Sequence, residues 1–573
     1  MIVELISIPA IILLLGAFAL PLIPERLRSS SFIIFPAIAL AVLWTLPEGS
    51  HIQAPFASYE LHLLTVDALS RIFGTIFALI TIIGGIYAFH IKDLGQQSAA
   101  LAYAGGALGV TFAGDYFSLF IFWEIMAISS TYLIWARRTE TTDKAGMRYL
   151  LAHIVGGGFL LTGILLHLNS GGSFLIDALP QDYTLANVLI LLGVALNTAV
   201  PPLHAWLADA YPKATITGAV FMCALTTKSA VYIMIRLFPG WEILIWTGVI
   251  MAIYGTIYAL LSDDIRAILS YSIISQIGYM VTAIGIGSEL AINGATAHAF
   301  NHIIYKSLLF MAAGAVIHAT GKSRLSELGG FAKKMPLIVG LYMVGAFSIA
   351  GAPLLNGFIS KTMITGAANA AHLEMVILLL LIATIGTFLH TGLKLPYFTW
   401  FGEDKEEIQV SDIPKNMLAA MVMGAFLCVS LGLFPNLLYS NLPYAIDFTP
   451  FSVYNFVEMT QILLLTFVGF WLFRNKFNIS PSTTIDTDWF YRKPANLVFT
   501  VFVKFPALIF DIAEKKVASA VDRVADVSKN PLNYMLPTSP KSPVYTDGFT
   551  SPLHLALGLI LLSFLIVSLI VLL

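Results

Sequence analysis

Residues 298–318 read HAFNHIIYKSLLFMAAGAVIH. The segment is long and apolar enough to cross a bilayer, which takes ~20 helical residues, yet it carries His298, His302 and Lys306 at intervals of four. At 3.6 residues per turn those three side chains stack along one helix face. A lysine at the centre of a membrane costs at least ~2.5 kcal/mol and usually faces a wet interior or a partner. The row therefore reads as a proton wire. Single histidines also serve as hydrogen-bonding glue between helices, but three titratable groups in register exceed that need.

The rest of the chain supplies the matching context. Its 573 residues are 58% hydrophobic and only 11% charged, with a mean hydropathy of +0.84. These values predict an all-α polytopic membrane protein. A net charge of -2 gives no reason to expect nucleic acid. Cys223 and Cys428 are the two cysteines, which excludes a disulfide framework and any CxxC metal or iron–sulfur site. No glycine-rich phosphate loop or dinucleotide fingerprint is present. No cofactor and no metal is expected, and redox chemistry or ATP hydrolysis linked to this chain belongs to another subunit. The start, MIVELISIPAIILLLGAFALPLIPERLRSS, lacks the basic region and cleavage site of a signal peptide and reads as a first span.

Apolar segments place about 14–16 transmembrane helices along the chain, including 116–135, 186–207, 216–238, 291–318, 336–367 and 372–400. Arg137, Arg138 and Lys144 follow the fifth span, and Lys322, Arg324, Lys333 and Lys334 follow the eleventh. The connections 47–68 and 169–185 carry no Lys or Arg. Short cytoplasmic loops collect basic residues, so odd-numbered spans run inward. The expected organisation is N-terminal helices over 1–97, a first antiporter-like repeat over 98–261, a second over 262–434, and a C-terminal extension over 435–573.

Four features break the apolar pattern. Glu124 lies in LFIFWEIMAISS, a run with no other charge before Arg137. LNTAVPPLHAW ends the seventh span, and Pro201 and Pro202 must break its helix because proline lacks the N–H and clashes with the preceding turn. Lys228 sits near the middle of the eighth span. In SIAGAPLLNGFISKTM, Gly351, Pro353 and Gly357 interrupt the twelfth just ahead of Lys361. Two interrupted helices in the two halves point to inverted repeats with a site at each break. Lys394 lies nearer the inner end of its span, where a lysine can also snorkel.

After Arg474 the chain turns polar. Over 495–528, Phe510, Val517, Val521 and Val524 fall on one helical face, and Asp511, Lys515, Asp522 and Asp526 on another. Such a helix is too charged to span and should lie along the surface, running roughly 50 Å at 1.5 Å per residue. A span at 451–473 precedes it and a last span at 552–573 follows.

Several motifs in order resemble the antiporter-like subunit family. They are HAFNHIIYKSLLF, PPLHAWLADAYPKAT followed by LTTKSAVYIMIRLF, DDIRAILSYSIISQIGYM, GAPLLNGFISK, FWE and VDALS. That family includes the large membrane subunits of Mrp-type cation/proton antiporters and the proton-pumping membrane subunits of respiratory complex I. TTKSAVYIMIR looks most like the Mrp D subunit, whereas a surface helix followed by a last span is similar to the distal pumping subunit of complex I.

By motif, the resemblance implies that Glu124 is the family's buried glutamate and Lys228 its eighth-helix lysine. His298, His302 and Lys306 match its central row, Lys361 its second-half lysine, and His204 a position that is histidine in some members. One position departs. Asn197 stands where the family usually has the lysine that pairs with the buried glutamate, which leaves Glu124 without its cation unless Lys228 or a lysine of a partner subunit substitutes.

The expectation is a proton-translocating subunit of a multisubunit cation/proton antiporter, exchanging protons for Na+. Its partners are other hydrophobic subunits and membrane lipid, in the inner (plasma) membrane of a prokaryote. Protons would hop between Lys228, His302, Lys306 and Lys361, with Glu124 biasing Lys228. The rival expectations are a subunit of a complex I-like NADH dehydrogenase or membrane-bound hydrogenase complex, a translocase part without its own redox site, and a mainly structural subunit.

Overall fold

The computed structural model of the protein describes residues 7–56, 59–403, 408–445, 447–476, 485–529 and 557–563. Among them, eleven helices are long and apolar enough to cross a membrane. Leu94–Phe112 adds a helix of 19 residues, and the shorter apolar helices Pro9–Leu22, Leu185–Asn197 and Pro336–Ala350 occupy further expected positions. The all-α polytopic class stands. Its main exception among the described residues is an antiparallel hairpin, Gly49–Phe56 with Tyr59–Val66, in a stretch that sequence reads only as a connection without basic residues. Of the expected last span, 552–573, only 557–563 are described, and these are helical.

Hydrogen bonds between loops sort them into two ends. At one end Gly114 N–H donates to His62 O at 2.9 Å, Leu179 N–H to Leu237 O at 2.8 Å and Gly240 N–H to Ile284 O at 2.9 Å. At the other, Arg138 pairs with Asp93 at 3.2 Å, Thr215 N–H donates to Leu133 O at 3.2 Å, and Leu325 N–H donates to Asp263 O at 2.8 Å. Each set joins loops of the same parity, so successive helices alternate in direction. The second end holds Arg137, Arg138, Lys144, Lys322, Arg324, Lys333 and Lys334. The basic-loop preference makes that end the inner one.

Two of the matched motifs hold these ends together. In VDALS, the Asp67 side chain caps Ala68–Tyr87 through Ser70 N–H and pairs with Arg236 of LTTKSAVYIMIRLF. In DDIRAILS, Asp264 caps Ile265–Ile286, and Arg266 donates to the carbonyls of Ala214 (2.9 Å) and Pro212. Both acidic residues stitch loops to helix ends.

The helices Glu242–Leu261 and Ile265–Ile286 meet backbone to backbone. A Cβ on Gly255 would stand 2.4 Å from Ser275 N, and one on Gly278 would stand 2.4 Å from Gly248 O. Small residues at such crossings let helices approach without a hydrophobic drive, which lipid does not supply. The pair thereby presents Ser272 and Tyr279 to the segments that carry the expected row.

The chain divides into two compact units, Met1–Asp486 and Thr487–Leu573. Val453–Phe473 belongs to the first, where Phe470 meets Tyr397 edge to face with centroids 5.6 Å apart. In the second, Trp489–Phe499 continues through a π-helical turn, Thr500–Lys504, into Phe505–Lys529. This is the expected amphipathic helix, six residues longer at its start than 495–528.

Candidate functional site

The central helix, Glu289–Thr320, is capped by Ser288 and ends on left-handed Gly321. It runs unbroken for 32 residues, and His298, His302 and Lys306 are fully buried on it. Neighbouring helices supply the partners. His298 Nδ1 lies 2.9 Å from Ser360 Oγ, and its Nε2 lies 3.4 Å from Tyr305 OH. Lys306 Nζ donates to Ser272 Oγ. His302 has no hydrogen-bond partner at either nitrogen among the described residues. It sits in the joint field of Lys228, Lys306, His298 and Lys361.

Lys228 enters this field through a feature that sequence did not indicate. The eighth span is interrupted at Leu225, between Gly218–Ala224 and Thr226–Leu237. There Tyr103 OH, from another helix, accepts the Thr226 N–H at 2.9 Å. Across the interruption Lys228 Nζ donates to Cys223 O at 2.7 Å and to Thr227 Oγ1 at 3.1 Å. Its ammonium therefore points back along its own helix, close enough to Lys306 for the two charges to act on each other.

Both expected breaks are present. Leu185–Asn197 stops and Ala205–Ala210 resumes, with Ala199 at φ 60° between them. Pro336–Ala350 stops at Gly351 and Asn356–Ala370 resumes, with Leu354 at φ 67° between them. A non-glycine residue in the left-handed region carries strain of about 1–3 kcal/mol, a cost that recurs at functional sites. Gly357 is dictated sterically, because a Cβ there would meet Ser348 O at 1.7 Å. One turn on, Lys361 Nζ lies 4.7 Å from the Tyr279 ring centroid and lacks a hydrogen-bond partner among the described residues. Ser360, the residue before it, is the partner of His298, so the second break and the central row form one cluster.

Glu124 and Asn197 stand apart from that cluster. The Glu124 carboxylate rests on Gly157, where a Cβ would meet Oε1 at 2.1 Å, and Oε1 has no hydrogen-bond partner among the described residues. Lys228 bonds elsewhere, so the two form no ion pair. Both amide atoms of Asn197 are buried and unpartnered among the described residues. Its neighbour Leu196 packs on Gly156, which places residue 197 beside the same stretch of helix as Glu124.

Lys394 lies in a π-helical segment, Phe388–Lys394, where sequence suggests a continuous α-helix. Its Nζ donates to Leu260 O at 2.6 Å and Ser262 O at 2.8 Å. It thus caps the C-terminal end of Glu242–Leu261, a favourable place for a cation. In the same segment His390 is fully buried, 2.7 Å from Thr391 Oγ1. It lies within the fields of Lys306, Lys361 and Lys394. Sequence reasoning passed over His390, Ser272, Tyr279 and Ser360. A single histidine or hydroxyl in an apolar run carries no periodic signal, and these act only through contacts between distant helices. No group of three His, Cys, Asp or Glu placed to hold a metal occurs among the described residues.

Residues 113–389 match the family described as NADH:quinone oxidoreductase/Mrp antiporter, transmembrane, a stretch that includes Glu124, Lys228, the central row and Lys361. An uncharacterised protein of Methanocaldococcus jannaschii is 31% identical over 356 residues, 58% of this chain and 73% of that protein. The A-type Na+/H+ antiporter subunit of Alkalihalophilus pseudofirmus is 30% identical over 424 residues, 65% of this chain and 52% of its own length. This chain thus spans about half of that antiporter protein. In the solved structure of the membrane-bound sulfane sulfur reductase, an archaeal respiratory membrane complex, one chain matches with a TM-score of 0.69 at 24% identity, covering 99% of this chain and 100% of that one.

Proposed function

The chain belongs to the NADH:quinone oxidoreductase/Mrp antiporter family of membrane proteins, and from that premise we propose that it is a proton-translocating subunit of a multisubunit cation/proton antiporter, with Na+ as the exchanged cation. The carrying observation is the cluster of buried basic groups on the central helix and second break, in which His302 and Lys361 have no hydrogen-bond partner among the described residues. Buried polar groups are nearly always paired. Groups left open in a polar row are ready to take a proton or a bridging water. A neutral lysine accepts a proton and a lysinium donates one, and burial makes both forms accessible. The proposed path runs between Lys228, His302, Lys306 and Lys361. His390 extends it toward Lys394.

A helix broken at proline or glycine in each half, 185–210 in the first and 336–370 in the second, supports repeats over 98–261 and 262–434. Other hydrophobic subunits complete the assembly in a prokaryotic cell membrane. A D-type assignment within Mrp rests on TTKSAVYIMIR. The antiporter relative from Alkalihalophilus pseudofirmus is of the A type, so the proposal is made for the antiporter-like class rather than for one letter. The second reading, a subunit of a redox-driven respiratory complex, is favoured by the match in fold to the sulfane sulfur reductase chain over 99% of this one.

Everted vesicles from a strain lacking its own antiporters, with the chain expressed alongside its neighbouring genes, test the proposal. NaCl should produce a pH change across the vesicle membrane. No response to Na+ or K+ from a correctly assembled complex would overturn the antiporter reading in favour of a redox-driven or structural subunit.

Two variants probe the outlying carboxylate. Glu124→Gln should slow exchange by about tenfold, below the usual contribution of a positioned proton-transfer group, with assembly unchanged. Wild-type exchange in that variant removes Glu124 from the mechanism. Asn197→Lys places an ammonium beside the Glu124 carboxylate, and an adjacent cation keeps a carboxylate ionised. The pH profile of exchange should therefore move toward acid. An unmoved profile means that the residue at 197 does not reach Glu124.

A further inference from the structure

The first break leads to a polar cluster that the proposed path does not use. His204, immediately ahead of Ala205–Ala210, is fully buried. Its Nε2 lies 3.2 Å from the Asp486 carboxylate, and its Nδ1 is buried with no hydrogen-bond partner among the described residues. Tyr254 and Tyr271 donate their hydroxyls to the same carboxylate, each at 2.5 Å. Tyr258 OH donates to Ile485 O at 3.1 Å. Asp486 is 282 positions away from His204 in sequence, yet its side chain closes a site built from the break and two helices. The cluster lies about two turns from the inner end of Glu242–Leu261.

A carboxylate held against one imidazole nitrogen keeps the proton there and leaves the other nitrogen with its lone pair exposed for protonation. A simple anchor requires no bare nitrogen. Burial alone would lift the Asp486 carboxyl, but the hydrogen bonds from His204 and the two tyrosine hydroxyls hold it well below the usual carboxylate range. It is thus a standing counter-charge for an imidazolium.

We propose that His204 is a proton-accepting residue at the first break and that Asp486, from the segment just ahead of the amphipathic helix, is its positioning residue. This rests on the transport reading above. A proton arriving as hydronium bonds to His204 Nδ1 and leaves water behind. The imidazolium is balanced by the Asp486 carboxylate, which stays ionised. The proton then leaves Nδ1 for a water-linked acceptor deeper in the membrane, and His204 returns to its neutral form. The segment 485–486 thereby becomes part of the transport machinery.

Among the other charged and titratable groups near the cluster, His153 is fully buried with its ring 4.6 Å from that of Trp206 and its Nε2 unpartnered among the described residues. Tyr254 stacks on Tyr258 at 4.4 Å, Asp209 is held by Arg148 at 2.8 Å and by Lys213, and Arg266 is bonded to the Pro212 and Ala214 carbonyls.

The test measures Na+-driven exchange in everted vesicles carrying the full complex between about pH 5 and 8, the range a histidine commands, for Asp486→Asn, Asp486→Glu, His204→Gln and Lys306→Ala. Asp486→Asn and His204→Gln should each slow exchange at least about tenfold and flatten its pH profile, and Asp486→Glu should restore the profile. Assembled Asp486→Asn with the wild-type rate and profile overturns the proposal. If Asp486→Asn fails to assemble, His204→Gln decides by the same criterion. Loss of exchange in Lys306→Ala beside an unaffected Asp486→Asn sinks the relay and spares the transport reading. Unaffected exchange in Lys306→Ala sinks both.

Discussion

Lys306→Ala is expected to reduce Na+-dependent proton exchange by on the order of 100-fold, the lower range for loss of a positioned proton-transfer group, while the complex still assembles. Both halves follow from the surroundings of the side chain. Lys306 is fully buried and bonds one neutral hydroxyl, that of Ser272, and it feels the like charge of Lys228. A buried charge with such thin compensation costs stability, so its removal relieves the fold as much as it opens space. The companion variant Lys306→Arg sharpens the test. Arginine keeps the charge but does not release its proton in proteins, so exchange should fail there as well. Exchange surviving in Lys306→Arg would mean that the residue works as a fixed charge and not as a carrier.

Gly255→Leu should have the largest structural effect. A Cβ alone would lie 2.4 Å from Ser275 N and 2.6 Å from Tyr271 O, both backbone atoms that cannot swing aside. The two helices must separate, at a cost above ~3 kcal/mol, the upper end for overpacking a filled interior. Separation would also displace Ser272 and Tyr279, the contacts of Lys306 and Lys361. Membrane content and thermal stability in detergent should both fall, and Gly255→Ala should fall less. A Gly255→Leu protein with wild-type melting behaviour would contradict the contact.

Much of this is legible in the chain itself. The His298, His302 and Lys306 register depends only on helix geometry, and the breaks at Pro201–Pro202 and Gly351–Gly357 depend on residues that cannot continue a helix. What escapes a sequence reading depends on contacts between segments far apart in the chain. The interruption at Leu225 contains no proline or glycine; it exists because a tyrosine hydroxyl from Leu94–Phe112 takes an amide the helix would otherwise use. The suggestion that Lys228 replaces the missing cation beside Glu124 is not met, because the Cys223 carbonyl binds that ammonium across the same interruption. Asp486 reads as one more charge in a polar stretch. Nothing local distinguishes a carboxylate that inserts beside a histidine 282 residues earlier.

The π-helical segment Phe388–Lys394 has a consequence for how related chains are compared. A π turn arises when one extra residue is accommodated within a helix, and removing that residue would restore α geometry and rotate everything beyond it by about 100°. Lys394 would then turn away from the Leu260 and Ser262 carbonyls. The placement of this lysine is therefore governed by residue count as well as by residue type. A gap-free alignment through this segment can pair identical letters whose side chains point in different directions, and a one-residue deletion here alters more than most substitutions.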